Sequence, residues 1–303
     1  MIGAVRLLGL VLLLGVLARP ATAAPLVDVA WVKQHIGKPN HVFLDVRSRS
    51  AYARAHVPGA VHTRYGGDGW RVKRGGVPGM LPGAAELEKL IGELGISNAD
   101  HVTVLPGGYS AGEMGVATRI YWTFKVSGHG RVSILDGGMT AYLGDRTAPR
   151  SQGVERRKPA VFKVDLNSQF LVTKSDVYEA LSTGSLLIDA RPSGQYLGIN
   201  KSKSVRYHGT LKGAVNVPGE WTTVDDGGRF RSQAAMAKLF EALGVPTDGD
   251  AVFFCNTGHW ASLGWFVQSE ILGNQQARMY DGSMSEWTKD AANPVEKKVS
   301  LEK

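Results

Sequence analysis

One thiol sets the chemistry open to this chain of 303 residues, because Cys255 is its only cysteine. It opens the run Cys255-Asn256-Thr257-Gly258-His259-Trp260-Ala261-Ser262, after the apolar Ala251 to Phe254 and before a helical stretch, Leu263 to Leu272. A cysteine in a strand–loop–helix turn sits where open α/β sheets bind ligands. The following helix adds positive potential and free N–H groups, and successive loop amides can cradle an anion. Both effects favour thiolate over thiol, and thiolate is the nucleophile. Gly258 lets the loop adopt backbone angles barred to other residues. A free cysteine is often just a small buried hydrophobe, but its place in this turn argues for a working one. A single cysteine also excludes a disulfide framework, a multi-thiolate zinc site and a CxxC redox pair.

The elements that position the thiol occur twice. Val42-Phe43-Leu44-Asp45-Val46-Arg47 matches Leu186-Leu187-Ile188-Asp189-Ala190-Arg191, each a short apolar strand ending in Asp-x-Arg. Tyr52 matches Tyr196, and Gly59-Ala60-Val61 matches Gly213-Ala214-Val215. The second half therefore carries about ten extra residues near 197–210. Leu87, Leu90, Ile91 and Leu94 have helical spacing, repeated by Met236, Leu239, Phe240 and Leu243, with Gly95 and Gly244 closing the helices. Val102 to Leu105 pairs with Ala251 to Phe254, and Asp136-Gly137-Gly138-Met139 with Asp281-Gly282-Ser283-Met284. Tyr142 and Trp287 are paired aromatics expected in the core. The predicted fold is α/β: two tandem domains, each a mostly parallel sheet flanked by helices. Domains are expected at 24–146 and 165–303, joined by a linker at 147–164. Its cluster Arg156-Arg157-Lys158 reads as solvated linker or as a rim that steers anions. Pro106 stands opposite Cys255, so the first half has lost the thiol.

Residues 1–23 read as an export signal. Arg6 precedes an apolar run from Leu7 to Ala18, and Ala21-Thr22-Ala23 fits a small-x-small cleavage site. That run is short for a membrane span. Cleavage after Ala23 would leave a periplasmic or secreted protein with no stable membrane insertion. The whole chain carries a formal +8, which favours anionic partners without choosing among them. Nucleic acid is not expected, because the basic residues are dispersed and no recognition motif is present.

With these landmarks the chain resembles the tandem-domain rhodaneses, the thiosulfate and 3-mercaptopyruvate sulfurtransferases, in an exported bacterial form. The resemblance rests on His56-Val57-Pro58-Gly59-Ala60-Val61, Met80-Leu81-Pro82-Gly83, Gly194-Gln195-Tyr196-Leu197-Gly198, Lys212-Gly213-Ala214-Val215-Asn216-Val217-Pro218 and Cys255-x-x-Gly258. It implies an inactive first domain and a catalytic Cys255 in the second. The thiolate would take the outer sulfur of a small anionic donor, become a persulfide, and pass the sulfur to cyanide or a thiol. The amides of Asn256, Thr257, Gly258, His259, Trp260 and Ala261 would hold the persulfide. The resemblance implies no metal and no organic cofactor.

Two departures stand out. Thiosulfate-using members often carry Arg or Lys in the loop, where this chain has Asn256 and Thr257. They also often carry Arg before the Tyr of the second domain, where this chain has Gln195. The basic segment Arg64, Arg71, Lys73, Arg74 is a candidate replacement from the first domain. His259 reads as a charge carrier or proton shuttle near its ordinary range, or as a loop-shaping group. Trp260 reads as pocket wall or domain interface. Asp189 and Arg191, possible supporters of the site, recur as Asp45 and Arg47 in the half without a thiol, which argues for a structural pair. A phosphatase is disfavoured because its loop needs Cys, five residues and then Arg, and Ala261, followed by Ser262, stands at that place. The non-catalytic rival is a persulfide carrier with little turnover of its own.

Overall fold

The apolar runs that match at a fixed offset form two five-stranded sheets of the same design. The computed structural model describes residues 23–301. The expected export signal lies outside them except for its last residue. In the first half the strand order is Leu26–Val27, Val132–Leu135, His101–Leu105, His41–Asp45, Val61–His62, all parallel. In the second half it is Leu171–Val172, Ala277–Tyr280, Ala251–Phe254, Leu186–Asp189, Val215–Asn216, again all parallel. The central strands are buried throughout, as apolar runs with helices on both faces must be. Asp45 and Asp189 end matching strands and accept forked hydrogen bonds from Arg47 and Arg191. Arg191 Nη2 also donates to the Gly209 carbonyl at 2.8 Å, and Arg47 Nη2 to the Ala55 carbonyl at 2.7 Å. Each pair ties a strand end to the chain that follows it. Tyr142 and Trp287 are fully buried.

The two halves share one continuous core. It holds Val104 and Phe124 from the first and Phe253 and Trp265 from the second. Helix Ala111–Val126 packs along helix His259–Phe266, with Thr118 Oγ1 and Ser262 Oγ 2.8 Å apart and the Tyr121 and Phe266 rings edge-on at 4.9 Å. Gly115 makes room at this crossing: a Cβ there would stand 2.7 Å from His259 Nε2 and the ring would have to shift. Helix His259–Phe266 starts four residues before the expected Leu263. Gly258, at φ +75°, turns the chain directly into it.

The connection between halves is a strap bound to the first half. Phe162 is buried, the Glu155 carboxylate accepts from Gly59 N–H at 2.9 Å, and Ala160 N–H donates to the Gly92 carbonyl at 2.9 Å. Arg156 and Arg157 line a cavity of about 680 Å³ on the first half, with Arg49, His62 and Glu155. Cys255 does not line that cavity. Among the described residues no helix is long and apolar enough to cross a membrane.

Candidate active site

Cys255 lies at the C-terminal end of strand Ala251–Phe254, 1% exposed, on the wall of a cavity of about 460 Å³. The equivalent strand of the first half, His101–Leu105, ends at Pro106. Asn256, Thr257, His259 and Trp260 line the cavity with the thiol. Ala261 is buried inside the helix and does not line it. Gly258 is the hinge of the loop, and its N–H donates to Ser283 Oγ at 3.2 Å instead of facing a ligand. Gln195 touches the site indirectly: its Oε1 accepts from Asn256 Nδ2 at 2.8 Å. Asp189 and Arg191 are absent from the cavity lining.

Ser283 holds the loop from below. Its Oγ accepts from Cys255 N–H at 3.1 Å as well as from Gly258 N–H, and donates to the Tyr280 carbonyl at 2.9 Å. It sits at φ +50°, where glycine is the usual residue, and its counterpart Gly138 sits at φ +55°. The Cys255 and Asn256 carbonyls accept from Met284 and Ser285 N–H at 3.0 and 2.9 Å. Sequence reasoning missed Ser283. The available signal was the change from Gly138 to Ser283 inside an otherwise repeated Asp-Gly-x-Met.

The first half supplies much of the wall: Tyr65, Arg71, Gly112 and Val116. Arg71 Nη2 donates to the Thr257 carbonyl at 2.5 Å and Nε to the Gly79 carbonyl at 3.2 Å. Gly79 leaves room for this: a Cβ there would collide with the guanidinium. The other members of the basic segment are elsewhere, with Arg64 on Asp68 and Arg74 3.5 Å from Glu86. Deeper in, Arg119 donates to Asp281 Oδ1 at 2.5 Å and to the Gly258 carbonyl at 3.2 Å. Asp281 Oδ2 in turn accepts from Leu81 N–H across the interface at 2.7 Å. The same bond recurs in reverse, Asp136 Oδ1 accepting from Phe230 N–H at 2.9 Å. The two halves thus grip each other by equivalent carboxylates.

His259 is neutral at physiological pH. Burial, then the Arg71 and Arg119 charges, push its pKa down to about 4, with a backbone hydrogen bond to Gly112 working the other way. This corrects the expectation of a charge carrier near its ordinary range. Burial raises the Tyr65 pKa, so its hydroxyl keeps its proton, and it is hydrogen-bonded with His259 Nδ1 at 3.2 Å. Trp260 packs on Gly219, where a Cβ would come within 2.7 Å of the indole, and forms cavity wall.

The corresponding loop of the first half is filled by the protein itself. Gly107 N–H donates to the Glu113 carboxylate at 3.2 Å, and Ala111 N–H to Asp226 Oδ1 at 3.3 Å. Among the described residues no group of three or more His, Cys, Asp or Glu is placed to hold a metal ion.

The rhodanese-like domain profile matches residues 28–145 and 173–290. The chain belongs to the rhodanese family. Its two halves are two tandem rhodanese domains. This rhodanese is 31% identical over 269 residues to the thiosulfate sulfurtransferase of Pseudomonas aeruginosa, covering 86% of this chain and 93% of that one. It is 32% identical over 259 residues to the thiosulfate sulfurtransferase of Rattus norvegicus, covering 84% of each. In fold it matches the structure of SseA, a 3-mercaptopyruvate sulfotransferase from Escherichia coli, with TM-score 0.75, 24% identity, and 86% and 99% of the two chains covered.

Proposed function

We propose that this rhodanese is a sulfurtransferase that carries sulfur on Cys255. The observation behind this reading is the thiol at the strand's C-terminal end, set in a loop that enters a helix and walled into a cavity of about 460 Å³. Relatives named thiosulfate sulfurtransferase, alike over most of both chains, support it. The donor is a small sulfur anion, thiosulfate first and 3-mercaptopyruvate second. With thiosulfate, the Cys255 thiolate attacks the outer sulfur, an S–S bond forms to Cys255, and sulfite leaves with the electron pair of the broken S–S bond. Cyanide or a thiolate then attacks the terminal sulfur and releases the thiolate. The two steps balance among donor, thiol and acceptor. The helix N-terminus and the loop amides other than those of Cys255 and Gly258, which Ser283 engages, stabilise the anionic sulfur, and Asn256, Thr257, His259 and Trp260 shape the pocket around it. We place the mature protein, from residue 24, in the periplasm or outside the cell, on the strength of its N-terminal segment.

The test is incubation of the mature protein with thiosulfate and cyanide, then with 3-mercaptopyruvate and a thiol, reading thiocyanate, sulfide and intact mass. Persulfide on Cys255 with steady turnover is expected, and Cys255→Ser should abolish both. Stoichiometric persulfide with slow turnover would favour the carrier instead, which the absence of Lys and Arg from the loop supports. No persulfide from any donor would overturn both.

A further inference from the structure

The Cys255 loop holds no cation, yet the cavity beside it has one. Arg71 reaches it from the half that lacks the thiol. We infer that Arg71 is the anion-binding residue of the site, holding the charged end of the sulfur donor, a sulfonate or a carboxylate. This inference rests on the sulfurtransferase reading.

Three observations carry it. Arg71 is fixed: its Nη2 and Nε are bonded to the Thr257 and Gly79 carbonyls, and its guanidinium lies 5.4 Å from the Tyr65 ring centre. Both of those acceptors are neutral. Among the described residues Arg71 forms no ion pair, so its charge has no carboxylate of the protein to neutralise it. A guanidinium has five N–H donors in a planar fork suited to oxyanions. The bonds to Thr257 and Gly79 use two of them, and the Tyr65 hydroxyl is a further hydrogen-bond partner, also neutral, which leaves donors for a ligand.

The other nearby cations are occupied or misplaced. Arg119 is bound to Asp281 and buried. Arg64 is paired with Asp68. In the inserted segment, Ser202 and Ser204 line the cavity, while Lys201 donates to the Val205 carbonyl. Lys201 and Lys203 are not part of the wall. The field of Arg71 is already felt inside the site, where it helps to keep His259 neutral. A neutral His259 beside one guanidinium gives a pocket with a single positive point. That suits a donor with one anionic end and its reactive sulfur directed at Cys255.

The experiment uses the full mature chain and its Arg71→Gln and Arg71→Lys variants. Sulfate, an unreactive oxyanion, should slow alkylation of Cys255 by iodoacetamide in the wild type, read by intact mass. Arg71→Gln should lose that protection and raise the KM for thiosulfate at least tenfold, with kcat changed less than threefold. Arg71→Lys, which keeps the charge, should retain protection. Wild-type protection and KM in a folded Arg71→Gln variant would overturn the inference. If Gln unfolds the protein, the Lys variant decides: retained protection supports the inference, and lost protection in a folded Lys variant overturns it. The alkylation readout needs no turnover. Absence of persulfide in the wild type would therefore count against the sulfurtransferase reading alone.

Discussion

Replacing Asp281 by Asn should destabilise the whole molecule, because it strands a buried charge at the interface. Arg119 and Asp281 are 1% and 5% exposed in their side chains, and their closest atoms are 2.5 Å apart. Removing one partner of such a pair typically costs ~3–5 kcal/mol, because the remaining charge stays buried without compensation. The Gly258 and Gly79 carbonyls still accept from Arg119, which places the expected loss near the lower end, about 3 kcal/mol. For a chain of this size that is roughly 5 °C in Tm. Urea unfolding of wild type, Asp281→Asn, Arg119→Met and the double variant measures it. The double variant should lose less than the two singles combined, since no charge is stranded. Thiocyanate formation should also fall in Asp281→Asn, because Arg119 fixes the Gly258 carbonyl. A loss below about 1 kcal/mol, or strictly additive variants, would refute the reasoning.

Ser283→Ala removes the acceptor shared by Cys255 and Gly258 N–H. With two buried donors left unpaired, it should cost about 2 kcal/mol or more and slow sulfur transfer, checked by urea unfolding and steady-state rates. Ser283→Ala with wild-type stability would show that water replaces the hydroxyl at no loss. Stability should also fall in mild acid. His259 and His101 are pushed down to about 4, and His41 to about 3, mainly by burial. The unfolded chain, with histidines near 6.5, therefore binds protons first. The stability these neutral rings support is present above pH 6.5 and is lost as pH falls from there toward 4. Between pH 7 and 5 each contributes up to about 2 kcal/mol, less where the ring is partly exposed. Denaturation at the two pH values checks this, and equal stability at both would sink it.

The frame of the molecule was legible because strands buried on both faces must be written as apolar runs. Such runs cannot drift in register without exposing a face. The runs at Val102 and Ala251 became strands within a residue of their expected ends, and those at Val42 and Leu186 stop at Asp45 and Asp189, two residues before the expected Arg. The loop was legible for a related reason, since strand, Cys, Gly and helix are contiguous. What was hidden is what the other half brings. Tyr65 and Arg71 meet His259 and Thr257 across separations of 194 and 186 residues, and no local pattern signals such meetings. The basic segment was visible, but only packing selects Arg71 from it, because Arg64 finds Asp68 within its own turn. The neutrality of His259 was hidden too. It depends on burial against helix Ala111–Val126 and on two distant arginines.

The filled loop of the first half bears on how this duplication can change in future. Had the thiol merely been replaced by Pro106, one codon change could restore a second reactive centre. But Glu113 from that half and Asp226 from the other already occupy the amides an anion would need. A thiolate placed there would face two carboxylates instead of open donors. Regaining chemistry would require several changes together, each without benefit until the last is made. The division of labour between the copies has therefore passed from a lost residue to a ratchet, and the silent copy is held in its role by its own acids.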